Sequence, residues 1–225
     1  MGPLTKTHII PNTDITHVNI NIQQYVRKTG YTGFIICDAN GNIITNPNTR
    51  YIHQKFNGSD VFISAQSFQQ NNKPLGNQIR KYVSQLISNL PELVCIGGES
   101  YLYGLTQSIP MIHAYTNSSH IYLDILYNFS FHKKQIRASG CLCDYNKVSK
   151  LVNTHTCLIN LANLNAHLLR LVNMSNYNQI IIINCHHEDF WKKVKILSKY
   201  KIISRKQFVS NELGYFITCT VLTKN

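Results

Sequence analysis

Short apolar runs rich in β-branched residues recur through the last two thirds of the chain. Such runs are typical of strands that are buried on both faces of a parallel sheet. The strands predicted in this way span residues 93–96, 111–115, 156–159, 180–184, 201–204 and 216–222.

Segments with helical spacing of apolar residues lie between these runs. The first contains Leu75, Ile79, Val83, Leu86 and Ile87 and ends near residue 89, and later ones span 121–127, 166–173 and 189–200. Regular alternation of strand and helix favours an α/β fold with a doubly wound, largely parallel sheet and helices on both faces. The last strand is expected to close the sheet in the antiparallel direction.

The first 64 residues follow a different pattern. Two strand-like runs, 34–38 and 42–45, are joined through Asn40-Gly41, and an Asn-Gly pair between such runs indicates a β-hairpin. We therefore predict a small β-rich region at residues 1–64, followed by a Rossmann-like domain at residues 65–225.

The charge balance points to a polyanionic partner. The chain has a formal net charge of +12, from 22 basic and 10 acidic residues, which favours RNA binding. An AT-rich genome is the alternative explanation, because it enriches Asn, Ile, Lys and Tyr without any binding role. The shortage of acidic residues is harder to explain in that way and favours RNA.

Apolar segments and cysteines narrow the protein class further. No stretch reaches the roughly 20 apolar residues of a membrane span, and residues 1–14 lack the apolar core of a secretory signal. We therefore expect an intracellular, cytoplasmic protein without membrane association.

The seven cysteines lack paired zinc-site spacing, and Cys141-Leu-Cys143 is tighter than a zinc knuckle, so no metal site is predicted. Three cysteines inside apolar runs are expected to be buried thiols: Cys95, Cys157 and Cys219.

The candidate for covalent chemistry is Cys185, which follows the isoleucine run 180–183 and precedes a polar turn and a helix. Residues just past the carboxyl end of a strand form the ligand crevice of open α/β sheets. A nucleophilic thiol there needs nearby positive charge or hydrogen-bond donors to lower its pKa. His186 and His187 are candidates for that role, and solvated surface histidines are the alternative. The alternative for Cys185 itself is an inert core thiol.

Three fragments, in order, resemble the RNA uracil-5-methyltransferase family. The segment 67–72, SFQQNN, resembles the SFFQxN segment before the family's catalytic core; 124–128, DILYN, resembles its DAxxN helix; and Asn184-Cys185 followed by 190–193, FWKK, resembles its SCNPxTFxRD segment. The resemblance covers roughly residues 34–222 and lacks the family's N-terminal RNA-binding domain. It implies a class I methyltransferase sheet, S-adenosylmethionine (SAM) as cofactor and RNA as substrate.

The resemblance also implies residue roles. Cys185 would attack C6 of a uridine so that C5 takes the methyl group of SAM. Gln70 would contact the cofactor, and the Gly97-Gly98 turn and Asp124 would lie near the cofactor or the substrate. The alternative roles are structural. Gln70 and Asn72 would then be ordinary helix-capping and turn residues, and Asp124 would be a solvated helix residue.

Several positions depart from the family pattern. Thr116 stands where the family has an acid for the cofactor ribose, and a hydroxyl cannot form a carboxylate's bidentate contact. The shorter turn from Gly97 to Tyr101 replaces a DxxCGxG loop, and Glu99 is the candidate substitute for the lost acid. Residues 160–163, NLAN, replace DPPR, and Ile217 replaces the glutamate that abstracts the C5 proton. Loss of that base alone would slow the reaction about 10²- to 10⁴-fold.

Two hypotheses follow. The first is a SAM-dependent RNA methyltransferase whose uridine methylation is impaired or lost. The second is an inactive methyltransferase-fold module that binds RNA or a protein partner.

Overall fold

The computed structural model describes residues 51–64, 67, 73–133, 136–185, 187–209 and 216–225. The hairpin predicted at residues 34–45 lies outside this part of the chain. Among the described helices, none combines the length and apolar character that a membrane span requires.

The described residues form nine strands and five helices. The strands are β1 (Tyr51–Phe56), β2 (Ser59–Ser64), β3 (Glu92–Ile96), β4 (Met111–Thr116), β5 (Arg137–Leu142), β6 (Thr156–Asn160), β7 (Gln179–Asn184), β8 (Tyr200–Val209) and β9 (Phe216–Lys224). The helices are α1 (Lys73–Ile87), α2 (Ser100–Thr106), α3 (Ser119–Phe131), α4 (Ala166–Met174) and α5 (His187–Val194).

Seven strands form one sheet in the order β5-β4-β3-β6-β7-β9-β8. Neighbouring strands are parallel except that β9 runs antiparallel to both β7 and β8. This confirms the predicted doubly wound α/β sheet and the antiparallel direction of the last strand. The chain leaves β3 toward β4 and β5 on one side and reaches β6 and β7 on the other, so the switch point lies between β3 and β6.

Each face of the sheet is covered by its own layer. Ile181 and Ile183 belong to a core shared with α1, α2, α3 and the β1–β2 hairpin, whereas Ile180 and Ile182 face a core shared with α4 and α5. Successive side chains of a strand point to opposite faces, so a strand covered on both sides must be apolar at every position. That is why the isoleucine run is continuous. Cys95, Cys157 and Cys219 are buried, as expected.

Some elements differ from the prediction. Helix α5 ends at Val194 and not at residue 200, because turns closed by the carbonyls of Lys193 and Val194 lead directly into β8. Helix α2 and strand β5 were not predicted. Every residue of α2 is buried and most of β5 is exposed, so neither shows an amphipathic period.

The hairpin of β1 and β2 was also not predicted. Its turn is Asn57-Gly58, with φ of 49° and 87°, the left-handed pair that an Asn-Gly hairpin turn requires. Phe56, Val61 and Ile63 pack into the same core as α1 to α3. The division at residue 64 remains a prediction, although this packing ties the hairpin closely to the larger sheet.

Candidate cofactor site

Two loops meet at the carboxyl edge of the sheet, at the switch point between β3 and β6. Gly97 and Gly98 follow β3 with φ of 72° and 46°, a region that residues with a Cβ rarely adopt. A Cβ on Gly97 would lie 2.3 Å from Leu161 Cδ2 and 2.8 Å from the Asn160 carbonyl oxygen. The two glycines therefore let the turn after β3 pack directly against the loop after β6.

A buried ion pair lies beside this turn. Glu99 is 3% exposed, and its Oε2 lies 3.5 Å from Arg80 Nη2 of helix α1. Tyr103 donates its hydroxyl to Oε1 at 3.3 Å, and burial, with the adjacent Glu99, raises the pKa of that hydroxyl well above its usual range. The Arg80 guanidinium also lies 4.4 Å above the Phe56 ring. Sequence reasoning did not single out Arg80.

Asp124 reaches the same region from helix α3. It is 1% exposed, and its Oδ2 accepts the backbone N–H of Ser64 at 3.0 Å. Its Oδ1 is buried and meets no hydrogen-bond donor within the described residues. Burial raises the pKa of this carboxyl, and hydrogen bonds from Ser67 and Ser64 oppose the shift. Asp124 is therefore not a solvated helix residue.

A small cavity joins these groups. It has a volume of about 10 Å³, near the size of one water molecule, and its lining includes Ser67, Gly98, Glu99 and Asp124. The fold thus brings together three predicted site residues, Gly98, Glu99 and Asp124. Ser67 joins them from the SFQQNN segment, 57 residues before Asp124.

Side chains of α3 hold the hairpin in place beside this cavity. Asn128 accepts the Phe62 N–H at 2.9 Å and donates to the Phe62 carbonyl at 2.6 Å. One turn further on, His132 Nε2 lies 2.8 Å from the Asp60 carbonyl oxygen. Four helical residues rise about 6 Å and two strand residues about 6.6 Å. Asp124, Asn128 and His132 therefore match alternate residues of β2 and form a helix–strand ladder along its edge.

Thr116 ends β4 at the same edge of the sheet. It is buried, and its Oγ1 accepts the N–H of Ser118 at 3.1 Å in the turn that starts α3. The hydroxyl proposed for the ribose thus also has a local structural role.

Cys185 lies further along this edge, after β7, and is exposed. Although the residue as a whole is exposed, the atoms packed around its thiol partly desolvate it and raise its pKa, which is opposite to the shift of an activated thiolate. The preceding residue, Asn184, donates its side-chain amide to the carbonyls of Leu161 and Ala162 at 3.3 and 3.2 Å. This contact joins the end of β7 to the loop after β6.

Other predicted groups lie elsewhere. Ile217, which the resemblance assigns to the position of a proton-abstracting base, is buried in the core. Three further candidates lie outside the described residues: Gln70, Asn72 and His186. His187 is described only by its place as the first residue of helix α5.

No family model and no curated protein matches this sequence. Solved structures do match. The Pyrococcus abyssi tRNA (uracil-54, C5)-methyltransferase in complex with S-adenosyl-L-homocysteine has a TM-score of 0.68 at 17% identity, over 81% of this chain and 47% of that chain. Methanocaldococcus jannaschii Trm5 in complex with adenosine has a TM-score of 0.66 at 15% identity, over 96% and 68%. The M. jannaschii TYW2 in complex with AdoMet has a TM-score of 0.60 at 13% identity, over 85% and 94%.

This chain spans about half the length of the P. abyssi enzyme. At these identities the likeness concerns the fold. The chain has the Rossmann-like sheet of these methyltransferases, preceded by a small β-hairpin.

Proposed function

We propose that this chain is a SAM-dependent RNA methyltransferase-like protein that binds its cofactor at the carboxyl edge of β3 and β4, and that its uridine-C5 methylation is impaired or lost. The observation that carries the cofactor site is the buried Oδ1 of Asp124, which meets no hydrogen-bond donor from the described residues, in a residue that lines the cavity beside Gly98. A buried carboxylate oxygen without a donor is costly and is stabilised by a cationic donor.

The residues at this edge fit the parts of SAM. Asp124 would receive the ammonium of the amino-acid portion, since a cationic donor best satisfies a buried carboxylate oxygen without a donor. The Gly97-Gly98 turn lets backbone approach the cofactor closely, and Thr116 would contact the ribose. When bound, SAM supplies a methyl group on a sulfonium centre. Gln70, which the resemblance assigns to the cofactor, is part of the same proposal.

RNA as substrate rests on the net charge of +12 and on the similar structures, one of which is a tRNA methyltransferase by name. Impaired uridine chemistry rests on two residues. Ile217 is buried and has no proton chemistry, and the raised pKa of Cys185 leaves little thiolate at neutral pH. The inactive module that binds RNA or a protein partner is the outcome if no cofactor binds.

Isothermal titration calorimetry with SAM, S-adenosylhomocysteine and adenosine tests the cofactor site. The Asp124→Asn variant should bind SAM and S-adenosylhomocysteine about tenfold more weakly, because both carry the ammonium, and should bind adenosine unchanged. Asp144→Asn is the matched control, since Asp144 is exposed and accepts the N–H of Asn146 in a loop. No binding of SAM at millimolar concentration would reject the proposal.

RNA that contains 5-fluorouridine tests the chemistry at Cys185. A covalent adduct that the Cys185→Ala variant does not form would show that the thiol still attacks the pyrimidine. It would overturn the loss proposed at Cys185 but not the loss proposed at Ile217, because 5-fluorouridine carries no C5 proton for a base to remove. Without an adduct, retained SAM binding would favour a changed or lost methyl acceptor.

A further inference from the structure

Strand β8 forms the outer edge of the seven-stranded sheet, next to β9. It runs parallel to β7, because both are antiparallel to β9, so its second half ends at the carboxyl edge where the candidate site lies. The register pairs Asn184 with Thr218 and Thr218 with Gln207. Gln207 is therefore two strand spacings, about 10 Å, from the end of β7.

Arg205 on this strand carries incompletely satisfied charge. Its guanidinium carbon lies 4.8 Å from the centre of the Trp191 ring on α5. Its Nε and Nη2 are shielded from solvent, and neither meets an acceptor in the part of the chain that the structure describes. A shielded guanidinium whose donors are unmet gains free energy when it meets an anion. The stacked ring holds it in position in advance.

Lys206 places a second cation on the other face of the strand. Its ammonium lies 4.6 Å from the Tyr82 ring centre and 5.4 Å from that of Phe208. Neither Lys206 nor Arg205 takes part in any ion pair found among the described residues. We name the set Tyr82, Trp191, Arg205 and Lys206 the β8 edge patch.

We propose that the β8 edge patch is a surface that docks the RNA substrate, four strands from β3 in the same sheet that carries the cofactor site. Alternating cations and aromatic rings are what single-stranded RNA needs, because phosphates accept from Arg and Lys while unpaired bases stack on exposed rings. Trp191 is 38% exposed and presents such a ring. RNA as substrate rests on the proposed function. An acidic protein segment would use the cations but gain less from the rings, which is why RNA is favoured.

Trp191 is the only tryptophan of the chain, so intrinsic fluorescence reports directly on this patch. Titration of the full chain with a fluorescein-labelled single-stranded RNA should change the Trp191 emission in parallel with the anisotropy of the label. The Arg205→Ala variant should bind this RNA about tenfold more weakly and lower the slope of log affinity against log salt by about 0.7, the value for one phosphate contact on a single strand. Lys206→Ala should act in the same direction.

Arg137→Ala is the matched control, because Arg137 is exposed on β5, the opposite edge of the sheet. It should leave RNA affinity within twofold of the unmodified chain. Equal losses for Arg137→Ala and Arg205→Ala, or RNA binding without any change in Trp191 emission, would overturn the proposal. Displacement of the RNA by polyglutamate of equal charge, at equal concentration, would also overturn the proposal.

Two further measurements separate this proposal from the cofactor site. Arg205→Lys keeps the charge and should fall between the unmodified chain and Arg205→Ala, and thermal melting checks that each variant is folded. SAM affinity should be the same in all the Arg205 variants. Loss of RNA binding with SAM binding intact would support the patch. Patch-dependent RNA binding by a chain that binds no SAM would support the patch and reject the cofactor site, and SAM binding without RNA binding would do the reverse.

Discussion

Replacing Asn128 by alanine should weaken the attachment of the β1–β2 hairpin to helix α3. The Asn128 side chain is fully buried and makes three hydrogen bonds, to the Phe62 N–H at 2.9 Å, the Phe62 carbonyl at 2.6 Å and the Asp124 carbonyl at 2.8 Å. Each such bond contributes about 1 kcal/mol, and alanine returns about 0.5 kcal/mol through its higher helix propensity. The free energy of unfolding should fall by about 2 to 3 kcal/mol, which lowers the melting temperature by roughly 5 to 10 °C for a domain of this size.

Denaturant titration measures that loss, and amide hydrogen exchange locates it. The Phe62 amide should exchange markedly faster in Asn128→Ala, because its acceptor is gone. Asn173→Ala is the matched control, since Asn173 bridges helix α4 to Ser198 and Lys199 through bonds at exposed positions. It should lose less than about 1 kcal/mol. Equal losses in the two variants, or unchanged exchange at Phe62, would refute the role of the ladder.

Three further predictions concern the turn, the buried acid and the thiol. Gly97→Ala should destabilise the fold by about 2 kcal/mol more than Gly58→Ala, measured by thermal melting, because both have positive φ but only a Cβ on Gly97 meets other atoms; equal losses would contradict this. The folded-state pKa of Asp124 is raised above 3.8, so its contribution to stability is full below that pH and is lost as pH rises through the raised value. The stability of the unmodified chain relative to Asp124→Asn should therefore fall with rising pH, by up to about 1.4 kcal/mol per pH unit, and a rise would refute the assigned direction. Cys185 should react with iodoacetamide at neutral pH more slowly in the folded chain than in the denatured chain, by mass spectrometry of the labelled peptide, because desolvation of the thiol raises its pKa; faster reaction in the folded chain would show an activated thiolate.

The parts of the fold that the sequence predicts are those where burial leaves a periodic pattern. The isoleucines of β7 are apolar at each position because layers cover both faces of the sheet, and this signal is local. Strand β5 lacks it, since five of its six residues are exposed and Gly140 is the exception, and α2 lacks it because all seven residues are buried. Residues 57–58 carry the same Asn-Gly pair that predicts a hairpin at residues 40–41, so the hairpin of β1 and β2 has a local signal in the sequence.

The candidate site divides in the same way. Gly97, Gly98 and Glu99 follow a predicted strand, so their place at the carboxyl edge of the sheet follows from topology alone. The role of Arg80 in the site could not be predicted, because its partner Glu99 comes from a different element and their contact depends on how α1 packs. Asn128 lies in the DILYN fragment, but its hydrogen bonds to Phe62 join residues that are 66 positions apart in the sequence. Polar residues at positions 124, 128 and 132 look like the solvated face of a helix until the hairpin covers them.

The two buried carboxylates of the site differ in what they can bind. Glu99 is already paired with Arg80 and accepts from Tyr103, so its charge is compensated within the protein. Asp124 has one oxygen bonded to the Ser64 N–H and one without a described donor, and burial raises its pKa. A neutral ligand would leave it costly to ionise, whereas a cationic group would favour the ionised form and lower the pKa again. Binding of SAM near the raised pKa should therefore release a proton. Calorimetry in buffers of different ionisation enthalpy would detect that release, and its persistence in Asp124→Asn would assign the proton to another group.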